Sequence, residues 1–211
     1  MDKIVEPTEL QHRFSSLFPS LVLASSSPNR RKLLEEGGSR VTVFTPDADE
    51  DISGLEKEDA MKKNARVKME AYISSPSFDP SLVAISADTL VHIDSLMLGK
   101  PKDRKDAYHI LSLLSGRSQE VLTGCALFLP GEKEIIVFCD KAEVVFKTLS
   151  EKEKNDYLDT CEWKGAAGGY RLQKTGWTLV EEIKGDWTTV VGLPLEKLIS
   201  IKESRQPKSS S

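Results

Sequence analysis

Between residues 23 and 34 the chain reads LASSSPNRRKLL, where an apolar segment feeds hydroxyl groups, a proline and two guanidinium groups. Ser27 is a good helix cap, Pro28 suits the first helical position, and Gly37 suits a place just past the helix end. A helix start carries unpaired backbone N–H groups and positive partial charge, so serines before it and Arg30 and Arg31 just inside it form an anion trap suited to phosphate. The competing reading of this segment alone is an ordinary capped helix with solvated arginines. Asp88 supplies the opposite charge. It follows the apolar run 82–85 through Ser86 and Ala87, which predicts a carboxylate leaving a buried strand. Burial disfavours the charged form unless it binds a cation, accepts hydrogen bonds or works as a base, so Asp88 is the leading catalytic candidate, with loop capping as its structural alternative. Lys100 stands between Gly99 and Pro101 in a GKP turn that would aim it at phosphate. Lys68 lies on the edge of a helical face made by Met61, Ala65, Met69 and Tyr72. It either points into a cleft or snorkels over apolar neighbours. In EWKGAAGGYRLQ, residues 162–173, small residues permit close backbone approach while Tyr170 and Gln173 bring a ring and an amide suited to a base edge. A tight turn into an antiparallel strand is the alternative there.

Composition limits what these groups can serve. The 211 residues, 39% of them hydrophobic, suffice for a full core in one large domain or one domain with two lobes. A net charge of -4 argues against a partner as large and anionic as long nucleic acid, while leaving room for a small anionic ligand. The apolar runs fall short of a membrane span, and Asp2, Lys3, Glu6 and Glu9 interrupt any signal-like stretch, so the expected location is the cytoplasm. Cys125, Cys139 and Cys161 are odd in number and widely spaced, which indicates free thiols rather than a disulfide framework or zinc knuckle. With only His12, His92 and His109 available, a histidine-rich metal site or a cysteine nucleophile is a poor rival.

The elements that must position these residues alternate between strand and helix. The pattern predicts a short helix before Pro19, a strand ending at 21–23, and a helix from Pro28. A strand over 40–45, a helix over 56–72 and a short strand over 82–85 follow. A helix over 103–114, strands over 121–129 and 134–146 joined by a Pro130–Gly131 turn, and a helix opened by the capping box of Ser150 and Glu153 come next. Residues Trp177 to Ile183, the Lys184–Gly185 turn and the following DWTTVVGLPLEKL suggest a hairpin and loop that lead into a last helix with Leu195, Leu198 and Ile199 inward. The acidic run Asp47, Asp49, Glu50 and Asp51 must be solvated or bound to something. The expected organisation is an N-terminal extension over 1–19, one α/β domain over 20–202 and a frayed tail over 203–211.

The motifs LASSSP with RR and LL, DADE, ARVK, SADT, GKP, LSGR with VLTG, FKTLSEKE, AGGY with LQ, and VVGLPL occur in an order that resembles the Maf family of nucleoside triphosphate pyrophosphatases. The likeness covers residues 21–198. It implies an α/β fold similar to that of inosine triphosphate pyrophosphatase, an elongated mixed sheet flanked by helices, with two lobes around a central cleft for the nucleotide. It further implies a catalytic role for Asp88, an acidic metal ligand at Glu50 and active-site lysines at Lys68 and Lys100. The anion loop falls on Ser25, Ser27 and Arg30, and the base-selecting positions on Asn29, Thr89 and Gln173. Family members acting on thymidine and uridine triphosphates typically carry arginine where this chain has Asn29, whereas Thr89 and Gln173 agree with that subgroup. Gln119 stands where histidine is common, and Gly165 and Ala166 replace an Asp-Lys pair. The implied reaction is metal-dependent cleavage of a nucleoside triphosphate, with Mg²⁺ or Mn²⁺ on Glu50 and Asp88, to the monophosphate and pyrophosphate. A nucleotide-binding regulator of cell division, or the same reaction on a methylated or purine nucleotide, are the alternatives. The resemblance permits a homodimer.

Overall fold

The computed structural model describes residues 8–48 and 54–205. Its elements in chain order are α1 (Glu9–Leu17), β1 (Ser20–Ala24), α2 (Pro28–Glu36), β2 (Arg40–Phe44), α3 (Lys57–Ile73), β3 (Val83–Ile93) and β4 (Leu96–Met97). They continue with α4 (Arg104–Leu114), β5 (Ser118–Phe128), β6 (Ile136–Phe146), α5 (Glu151–Asp159), β7 (Val180–Lys184), α6 (Trp187–Val191) and α7 (Leu195–Ser204). Among the described residues seven strands form one sheet in the order β2-β1-β3-β5-β6-β7, with β4 paired to β3. The sheet is mixed, since β1 runs parallel to β2 and β3 while β4 runs antiparallel to β3 and β7 antiparallel to β6. The α/β class, the mixed sheet and its flanking helices are as the sequence led us to expect.

The chain divides into two compact units, each assembled from separated segments. The first takes in the chain up to Asp88, Gly124–Asp140 and the chain from Gly192. Its core joins Val22 and Ala24 of β1, Ala84 of β3 and Ala126 of β5 to Ala65, Met69 and Tyr72 of α3. Small residues on the strands let the helix lie close, and rings fill the rim: Phe44, Tyr72, Phe78 and Phe128 follow one another at centroid distances of 5.2, 5.5 and 5.3 Å. Within this unit α1 packs on α7, where Arg13 forks onto the Glu203 carboxylate at 2.8 Å. The second unit comprises Thr89–Thr123 and Lys141–Val191. Its core is built from Ala107, Ile110, Leu111 and Leu114 of α4, Val121, Val144 and Phe146 on the strands, and Tyr157, Leu158, Trp163 and Tyr170.

Local chemistry explains most boundaries. Ser27 accepts from the Arg30 N–H and Pro28 opens α2; Ser150 and Glu153 form the reciprocal box that starts α5. Gly37 caps α2 in ordinary helical conformation, so its requirement is space: a Cβ there would stand 2.9 Å from the Gln11 carbonyl oxygen. Three expectations need correction. The strand through residues 82–85 does not stop before Asp88, because Thr89–Ile93 supply β-branched and apolar residues that carry it on, and Asp88 sits inside β3. Trp177 belongs to a 3₁₀ segment, Thr175–Leu179, and β7 begins only at Val180. Residues 187–191, whose Thr-Thr-Val-Val run favours strand, form α6, with Asp186 accepting from the Thr188 N–H at 2.8 Å and from its hydroxyl at 2.6 Å.

Candidate active site

In the first unit the groups singled out for chemistry converge. Arg30 is buried, 8% exposed, because its guanidinium is tied to the protein itself: Nη1 donates to Ser25 Oγ at 2.8 Å and Nε to the Gly192 carbonyl at 2.7 Å. Ser25 also accepts from the Ser27 N–H at 3.3 Å, which knits the serine loop to the arginine. Arg31, the other half of the pair, instead faces outward to Glu35 at 2.8 Å on the exposed side of α2. Asn29 lies half-buried in the first turn of that helix.

Asp88 receives one donor on each oxygen. Lys68 Nζ reaches Oδ1 at 2.8 Å and Asn64 Nδ2 reaches Oδ2 at 2.7 Å. Asn64 and Lys68 are four apart on α3 and therefore share a face, which turns out to be the buried face of that helix rather than its edge. Two close approaches hold α3 in place: Ser86 Oγ of β3 donates to the Ala65 carbonyl at 2.6 Å, and Gly124 of β5 lies against the helix backbone, where a Cβ would be 2.1 Å from the Met61 oxygen. Burial, the largest single influence, pushes the Asp88 carboxyl up. The Lys68 charge and hydrogen bond, the Asn64 hydrogen bond and the Arg30 charge together outweigh it and hold the group below the ordinary aspartate range. The result is an ionised carboxylate fixed among two buried cations.

Asn64 escaped the sequence reading. Its signal was an amide on the face otherwise formed by Met61, Ala65, Met69 and Tyr72, four residues before the lysine already suspected.

The second unit carries the remaining positions. Thr89 Oγ1 lies 3.0 Å from Thr123 Oγ1, and Thr123 donates to the Thr189 carbonyl at 2.9 Å. A hydroxyl has one hydrogen, and Thr123 has spent its own on a carbonyl, so Thr89 is the donor in the first bond. Lys100 is exposed in the GKP turn, and the Gly168 N–H bonds to the Gly99 carbonyl at 3.1 Å, so this turn and the AGGY segment are neighbours despite their separation in sequence. Gly165 has φ 72°, a left-handed conformation that glycine adopts without strain. Gln173 is half-buried in the turn before the 3₁₀ segment. Tyr170 is not available to a ligand as expected: it is 6% exposed, packs edge-on against Phe146 at 5.0 Å, and accepts from Gln119 Nε2 at 2.5 Å.

Glu50, the other expected metal ligand, lies outside the described residues. Among those described, no group of three or more His, Cys, Asp or Glu forms a metal cage. Mg²⁺ needs no such cage, since one or two carboxylates with substrate phosphates and water complete its shell, and an ionised Asp88 with lone pairs left on both oxygens fits that demand. The cysteines are free; burial pushes the Cys139 thiol up to about 11 and the Cys125 thiol higher still, which removes both as nucleophiles at neutral pH. No helix among the described residues is long and apolar enough to cross a membrane.

The chain is 40% identical over 179 residues, 85% of its length and 91% of the relative's, to a dTTP/UTP pyrophosphatase of Clostridioides difficile. It is 37% identical over 185 residues, 87% of its length and 95% of the relative's, to a dTTP/UTP pyrophosphatase of Bacillus pumilus. A protein of that description from Dictyoglomus thermophilum is 36% identical over 183 residues, 86% of this chain and 93% of its own. The family model described as Maf-like protein matches residues 20–204, and the chain belongs to the Maf family.

Proposed function

We propose that this protein hydrolyses nucleoside triphosphates, dTTP and UTP foremost, at the α-phosphorus, releasing pyrophosphate and the nucleoside monophosphate. The observation that carries the reading is the Asp88 carboxylate held ionised by Lys68, Asn64 and Arg30 in the first unit. Family membership and the dTTP/UTP pyrophosphatases among its relatives support the choice of reaction and substrate.

A triphosphate brings about four negative charges at neutral pH; Arg30 and Lys68 of the first unit are suited to meet them, and Lys100 is the further phosphate contact that the family resemblance implies. Arg30 is already oriented by Ser25 and Gly192, so it loses little freedom on binding. Water adds to the α-phosphorus as the bond to the bridging oxygen breaks, and the pyrophosphate leaves with the negative charge that the cationic side chains stabilise. Asp88 serves by orienting the water and binding a divalent cation, and the water's proton passes to its carboxylate or to solvent as the new P–O bond forms. Bound to Asp88 and Glu50, Mg²⁺ or Mn²⁺ would supply charge neutralisation and polarise the phosphorus centre. Thr89 and Gln173, the positions at which the chain agrees with the thymidine- and uridine-selective subgroup in the family resemblance, support a pyrimidine substrate.

The test is a panel of nucleoside triphosphates incubated with Mg²⁺ or Mn²⁺, with products resolved by chromatography, for the native protein and Asp88→Asn. Pyrophosphate with monophosphate from dTTP and UTP, lost in the variant, is the expected result. Orthophosphate as the first product rejects the proposal.

A further inference from the structure

We infer that Asn64 is a positioning residue for this reaction, retained against the interest of the fold because its amide sets the plane of the Asp88 carboxylate. The inference rests on the hydrolytic role of Asp88 proposed above. Asn64 is 3% exposed and sits on the buried face of α3, a place where an apolar side chain would pack without penalty. Its Nδ2 is spent on Asp88 Oδ2 at 2.7 Å, while its Oδ1 is buried with no hydrogen-bond partner among the described residues. A buried acceptor left unsatisfied destabilises the native state, and such groups call for a functional reason.

That reason lies in the geometry of the pair. Lys68 alone holds Asp88 Oδ1 through an ammonium, a point charge that tolerates rotation of the carboxylate about its own axis. A second donor on Oδ2, from a rigid amide one helical turn away, removes that rotation. The lone pairs on both oxygens are then aimed in fixed directions, which is what orienting a water or a cation requires. Asp88 keeps a 20% exposed side chain, so losing one donor would let solvent take its place without unfolding the site.

Asn64→Leu keeps the number and branching of side-chain heavy atoms and removes both the donor and the orphaned oxygen. For dTTP and UTP we expect kcat to fall about tenfold or more, KM to stay within about twofold, and Tm to hold or rise. Asn64→Asp, near in shape but acidic, sets a second carboxylate against Asp88 and should lower both kcat and Tm. Native turnover in Asn64→Leu overturns the inference, and so does a variant that melts well below the native protein or fails to fold, since either would make Asn64 an ordinary structural residue. Native protein that releases no pyrophosphate would instead overturn the hydrolytic reading and this inference with it.

Discussion

Gly124→Ala is a substitution far smaller than its expected effect. The glycine lies in β5 with no need for a left-handed conformation, so the backbone accepts alanine and the difficulty is entirely one of space. The new methyl carbon would stand 2.1 Å from the Met61 oxygen, 2.3 Å from its carbonyl carbon and 2.8 Å from the Lys62 nitrogen. All three atoms belong to the backbone of α3, so none can swing aside as a side-chain tip would. Restoring an ordinary contact needs β5 and α3 to part by about 1 Å, the scale at which overpacking costs about 1–3 kcal/mol. For a chain of this size that is a fall in Tm of roughly 2–12 °C. The same movement carries Asn64 and Lys68 away from Asp88, whose bonds of 2.7 and 2.8 Å would stretch beyond hydrogen-bonding range. A misplacement of about 1 Å in a catalytic group lowers turnover by up to about 10²-fold. Pyrophosphate release and differential scanning calorimetry on the same preparation measure both effects. A variant with native kcat and native Tm would refute the claim that this close approach positions the helix.

Further expectations follow from other contacts. Asp88 has a folded pKa below its unfolded value, so its ionised form adds stability above the ordinary aspartate range, and that contribution is lost as pH falls through the lowered value; metal-free Asp88→Asn should therefore show a shallower acid limb in melts below about pH 4. Arg30→Lys cannot reproduce the fork onto Ser25 and Gly192, and should raise KM for triphosphates by about tenfold with a loss of about 1–3 kcal/mol in urea unfolding. Thr123→Val removes the oxygen to which Thr89 donates and so alters the orientation of that hydroxyl; the ratio of kcat/KM for UTP over CTP should drop by about tenfold.

How much of this was legible in the chain depended on whether the signal was local. Ser27 and Pro28 announced α2, and the spacing of Met61, Ala65, Met69 and Tyr72 announced α3, because caps and periodicity act over one or two turns. Asp88 was recognised by the cost of burying a carboxylate, yet the strand was ended too soon, since Ser86 and Asp88 look like an exit until Ser86 is seen bonding to α3. Asn64 was missed for a related reason: a polar residue in a helix is read as solvated, and only the approach of β3 reveals that this one points inward. The β-branched run at Thr188–Val191 was overruled by the Asp186 cap, and Tyr170 was claimed by the core that Phe146 and Gln119 build around it. Lys100 and Gln173 could be named from their motifs, but the neighbourhood of the GKP turn and AGGY is a tertiary fact, written in one backbone bond between Gly168 and Gly99.

The segmented make-up of the first unit has a consequence for biogenesis. Helix α1 leaves the ribosome early, but its partner α7 is translated almost two hundred residues later, and the Arg13–Glu203 fork cannot close before then. Until that moment the apolar flank of α1, with Phe14 and Phe18, waits for its cover. Nascent chains stalled before α7 should therefore recruit holdase chaperones and resist protease poorly, while full-length chains released into the same extract should not.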